Sequence, residues 1–183
     1  MNTLVSRGAV ARVLAGAGAV AVLALPGCYD DGHPQPGACT FDGAVAVANE
    51  GWLHVNDEAK LVYQNNPPAS GPHFPEWASY GIHDDVVNRG NWVHNLEHGA
   101  IVLLIGKDAS DDEKQGLLDG YTAISDDANC HHRRTVVTAD PQLDSLVAAV
   151  AANIVLAGDS LSTDQIKGFA EACRDRGPED ICL

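Results

Sequence analysis

The sequence predicts an α+β fold: a single domain with a mainly antiparallel sheet, two or three helices packed on one side of it, and stabilising disulfides. Three observations predict it. Short strand candidates and helix-start signals mix irregularly along the chain. The chain has 183 residues, enough for one core and short for two. Cys39, Cys130, Cys173 and Cys182 lie beyond an export-type leader, and an even number of cysteines in an exported chain suggests two disulfides, with three pairings open.

The leader comes first. Residues 1–12 carry Arg7 and Arg12 and no acidic group, and residues 13–25 are apolar but too short for a stable membrane anchor. Leu25-Pro26-Gly27-Cys28 closes the run and resembles a lipobox. That resemblance implies cleavage before Cys28 and acylation of its sulfur and new amino group, which would tie the chain to a membrane through lipid. The expected organisation is a lipoprotein-type signal peptide at 1–27, a flexible tether at 28–38 rich in Gly and Pro, and one globular domain at 39–183. The expected location is the cell envelope, periplasmic or at the cell surface.

Within the domain, residues 60–64 form a short strand candidate. Residues 65–75 hold Pro67, Pro68, Gly71, Pro72 and Pro75 and must be a shaped loop. Residues 99–106 (GAIVLLIG) are the clearest buried strand. Ser110-Asp111-Asp112-Glu113 and Ser162-Thr163-Asp164-Gln165 are capping boxes that open helices. The first helix carries Leu117, Leu118, Tyr121 and Ile124 on one face, and the second carries Ile166, Phe169, Ala170 and Cys173. Residues 134–138 read as a strand, and 146–156 read as either helix or strand.

Charge excludes some classes of partner. Lys plus Arg number 11 against 25 Asp plus Glu, a formal balance of −14. Such a surface does not suit neutralisation of phosphates, so no nucleic-acid partner is expected, nor is a polybasic attachment to membrane.

The histidines carry the chemistry. Five of the eight lie between His54 and His98: these two, His73, His83 and His94. His94-Asn95-Leu96-Glu97-His98 matches the H-x-x-E-H pattern of inverted zinc peptidases, where a helix turns residues four apart to the same side. Gly99 and the apolar strand follow at once, which argues against a long helix. In a straight strand His94 and His98 would stand ~13 Å apart, too far to share an ion. Joint ligation therefore requires a turn, a helical turn or a bulge at Leu96-Glu97. Otherwise only one of the two binds, beside a histidine from the proline loop. In that loop His73 reads equally as a ligand held by a stiff backbone or as a ring locked by loop carbonyls.

Gly51-Trp52-Leu53-His54-Val55, Asn66-Pro67-Pro68-Ala69-Ser70-Gly71-Pro72-His73-Phe74-Pro75 and Val93-His94-Asn95-Leu96-Glu97-His98-Gly99 resemble the bacterial domain-of-unknown-function family 3105. Gly177-Pro178-Glu179 resembles that family's C-terminal end, so the likeness covers most of 52–182. It implies an exported, often lipid-anchored protein and names no activity. The positions carried across include His54, His73, His94, Glu97 and His98.

The function expected is therefore a metal-binding site built from His73, His94 and His98 with His54 as a fourth candidate. Its cofactor would be a divalent transition metal, zinc or copper, because imidazoles without a nearby soft ligand favour Zn(II) or Cu(II). Asn95 or Glu97 would orient the rings. Two alternatives stand beside it: a metal-dependent hydrolase with Glu97 as catalytic base, and a non-catalytic surface interaction domain whose protein partner is unknown.

Overall fold

The computed structural model describes residues 39–179 and 181–182. The leader, Cys28 and the tether lie outside the described residues. The elements are β1 (Val45–Ala46), β2 (Gly81–Ile82), α1 (Arg89–Glu97), β3 (Ile101–Gly106), α2 (Asp111–Ala123), β4 (Thr135–Asp140), β5 (Val147–Ala151), β6 (Ile154–Gly158) and α3 (Thr163–Cys173). The strands form one mixed sheet in the order β1-β6-β5-β3-β4-β2. The β1–β6, β5–β6 and β3–β5 pairs are antiparallel, and β3–β4 and β2–β4 are parallel. Among the described residues no helix is long and apolar enough to cross a membrane.

Strand β3 explains the layering. Ile101 and Leu103 enter one apolar cluster with Leu117 of α2 and Ile166, Phe169 and Ala170 of α3. Val102 and Leu104, pointing the other way, join Trp92, Val93 and Leu96 of α1. A strand apolar at successive positions must be covered on both faces. This corrects the expectation that all helices pack on one side: α2 and α3 lie on one face, α1 on the other.

The two capping boxes form as expected. The Ser110 and Ser162 hydroxyls accept from the N–H groups of Glu113 and Gln165, whose side chains accept from the serine N–H groups. The ambiguous segment 146–156 contains β5, a turn at Ala152-Asn153 and the start of β6. Asn153 has φ 60°, a left-handed conformation that asparagine tolerates. Residues 60–64 are not a strand. Glu58–Lys60 is a 3₁₀ turn, the N–H groups of Leu61 and Val62 donate back to its carbonyls, and those of Gln64 and Asn65 donate to the Glu50 carboxylate, both at 2.8 Å. The disulfides are Cys39–Cys173 and Cys130–Cys182, with Cα–Cα separations of 5.1 and 5.4 Å.

Candidate metal centre

Helix α1, with its C-cap, delivers three of the site residues, His94, Glu97 and His98. Asn88 caps it by accepting from the Gly90 N–H at 2.8 Å. It ends at Glu97, and Gly99, with φ +79°, turns the chain into β3. The nine-residue helix answers the condition set by the sequence: one turn brings His94 and His98 together, with their Nε2 atoms 2.8 Å apart. The proline loop delivers the rest. The His73 N–H donates to Leu53 O at 2.9 Å and the Val55 N–H to His73 O at 2.8 Å. This short parallel bridge sets His54 against His73.

The rings are oriented by main-chain carbonyls. His73 Nδ1 lies 2.9 Å from Gly71 O, His94 Nδ1 2.7 Å from Phe74 O, and His98 Nδ1 3.1 Å from Glu179 O. A carbonyl oxygen only accepts, so each Nδ1 carries the proton, and in the neutral ring Nε2 keeps its lone pair. His73 Nε2 then faces Glu97 Oε2 at 3.1 Å, and His94 Nε2 faces His98 Nε2. Each facing pair consists of two acceptors, so each needs a cation between its members, either a proton or a metal ion.

The surroundings are dry. His73 and Glu97 are fully buried and His94 and His98 nearly so, whereas half of the His54 side chain is exposed. Burial pushes the His94 and His98 rings below the ordinary imidazole pKa, outweighing the carbonyls of Phe74 and Glu179 that pull upward. Burial pushes Glu97 upward, but the close approach of His73 and the neighbouring imidazoles of His54 and His94 bring its carboxyl below the ordinary value. Neutral rings around a carboxylate are the state that ligates metal.

His54, His73, His94 and Glu97 each offer a donor atom, all within 4.8 Å of one another, and the group could hold a metal ion. His98 touches His94 from the other side and belongs to a second such group with Glu97 and Glu179. Asn95 does not orient an imidazole. Its amide is spent on Ala78, accepting from the N–H at 2.8 Å and donating to the carbonyl at 2.9 Å. His83 lies outside the cluster, with Nε2 at 2.8 Å from Ser79 O. The sequence reading gave no role to Glu179 and named loop carbonyls only for His73, where Gly71 O fills that part; it did not name the carbonyls of Phe74 and Glu179 that orient His94 and His98. A backbone oxygen leaves no mark on residue identity, and Glu179 reaches His98 across 81 positions.

No curated protein and no solved structure matches the chain. A family profile described as "Protein of unknown function (DUF3105)" matches residues 54–182, a span that holds His54, His73, His94, Glu97, His98 and Glu179. The chain therefore belongs to the DUF3105 family, as its proline-loop and His94–His98 motifs had implied.

Proposed function

We propose that the protein binds a divalent transition-metal ion, zinc or copper, at the meeting point of His54, His73, His94 and Glu97. One observation carries the reading: His54, His73, His94 and Glu97 each bring a donor atom within 4.8 Å of the others, and carbonyls occupy the Nδ1 atoms of His73 and His94, which leaves the Nε2 lone pairs of these two buried rings available beside the buried carboxylate. A tetrahedral ion with bonds of ~2.0–2.2 Å holds its ligands roughly 3.3–3.5 Å apart, so the donor set needs only modest side-chain rotation to close on one. The all-nitrogen and oxygen set suits Zn(II) or Cu(II).

The hydrolase alternative needs Glu97 free to take a proton from water. Its Oε2 already lies 3.1 Å from His73 and 3.6 Å from His54, which favours ligation over base chemistry. In an interaction domain the rings would only lock loops. The Nδ1 atoms do so, but the facing Nε2 atoms of His94 and His98 would then have to share a proton, which burial of these rings disfavours.

The location completes the proposal: an exported protein anchored through acylated Cys28. Two disulfides suit an oxidising compartment. Eleven residues from Cys28 to Ala38 would let the domain stand up to ~40 Å from the bilayer.

Elemental analysis of the purified protein tests the metal reading. At least one equivalent of zinc or copper is expected, falling by ten-fold or more in His73→Ala and His94→Ala. Metal content unchanged in both variants would remove the site.

A further inference from the structure

The single-ion reading leaves donors over. Glu97, His98 and Glu179 form a second group whose donor atoms lie within 4.8 Å of one another, and it shares Glu97 with the first. Glu97 itself is divided between them. Its Oε2 faces His73 and His54, while Oε1 is buried and has no hydrogen-bond partner. A buried carboxylate oxygen without a donor is costly unless something cationic meets it. The facing acceptors make the same demand twice, once between His73 and Glu97 and once between His94 and His98.

From this we infer that the site holds two metal ions bridged by Glu97, the second bound by Glu97, His98 and Glu179. The inference rests on the single-ion reading and extends it. A carboxylate with one oxygen on each ion sets them ~3.5–4 Å apart, the spacing of two-metal centres. Each of His94 Nε2 and His98 Nε2 then has its own cation, which relieves two lone pairs opposed at 2.8 Å.

The C-terminal segment is built to bring Glu179 there. The Glu179 N–H donates to Glu97 O at 3.0 Å, and its carbonyl accepts from His98 Nδ1. Its carboxylate Oε2 lies 3.8 Å from the same nitrogen, beside the protonated edge of the ring, so to meet an ion held at Nε2 the Glu179 side chain would have to rotate. Gly177 packs so closely on the backbone of Glu97 and Gly99 that a Cβ would collide with both. Beyond Glu179, the Cys130–Cys182 bond and the Ile181 carbonyl, held by Arg134, keep the segment in place.

Titration of the purified, disulfide-intact protein with Cu(II) tests this. Bound copper is counted by elemental analysis after gel filtration, and paramagnetic resonance follows each equivalent. The expected result is two equivalents, with the second quenching the signal of the first because bridged ions couple. Glu179→Ala, and Glu179→Gln as the variant that keeps the side chain's size, should bind one equivalent with an uncoupled spectrum. One equivalent in the wild type overturns the second site and leaves the single-ion reading standing. No bound copper overturns both. Two coupled ions in both Glu179 variants overturn the assignment of Glu179.

Discussion

The two faces of the sheet are built for different ends. The face under α2 and α3 is closed by Phe169, Ile166, Leu117 and Leu103, with the Cys39–Cys173 bond at its margin. The face under α1 also has an apolar floor, of Trp92, Val93, Leu96 and Val102. Around it, however, are buried His73, His94, Asn95, Glu97 and His98, and beyond them Arg134 and Asp127. Burying such groups costs free energy even when they are hydrogen-bonded. A protein with one inexpensive face and one costly face shows where stability is made and where it is given up for chemistry.

The largest difference should appear on truncating the apolar face. Phe169→Ala removes a fully buried ring and should lower unfolding stability by about 3–5 kcal/mol in a denaturant titration. Metal bound per folded molecule should not change. Loss of metal from the folded variant would show that the two faces are not independent.

Acid should act on the polar face. Burial pushes the Asp127 carboxyl up. The N–H groups of Cys130 and Asn129, and the nearby Arg174, prevail and hold it at about 2. A carboxyl depressed in the folded state contributes stability above its unfolded pKa, ~3.9, and loses it as pH falls toward the folded value. Stability should therefore drop by about 2 kcal/mol between pH 4 and 2, and Asp127→Asn should flatten that segment of the curve. An equally steep fall in Asp127→Asn would assign the acid sensitivity elsewhere. The lowered pKa values of His94 and His98 act at higher pH with the same sign. Protons favour the unfolded chain once pH drops below its ordinary histidine value, ~6.5.

The smallest expected effect separates the disulfides. Cys182 is exposed, whereas Cys173, the last residue of α3, is buried. Mild reduction with a dithiol should open Cys130–Cys182 first, because exchange needs access to a sulfur. Metal affinity should weaken several-fold while the midpoint of thermal unfolding shifts by only a few degrees. Mass mapping that finds Cys39–Cys173 opened first would contradict this view of the two margins.

What the sequence made legible divides along the same line. Capping boxes are local, so the helices starting after Ser110 and Ser162 could be read, as could the doubly buried β3. Helix α1 could not. Trp92, Val93, His94, Asn95, Leu96 and Glu97 are consecutive and all buried, so no amphipathic period marks them. The pairing of His94 with His98 was therefore visible as a motif but not as geometry. The disulfide pairing and the approach of Glu179 depend on chain closures of 52 to 134 residues, which no local pattern encodes.

The central claim is that imidazole lone pairs converge on Glu97, and ¹⁵N spectra of the histidine rings test it most directly. The account predicts that His73, His94 and His98 all carry their proton on Nδ1, and that zinc moves the Nε2 resonances of the ligating rings while the Nδ1 protons stay in place. Nε2 protonation in two of the three rings, with no response to zinc, would contradict it.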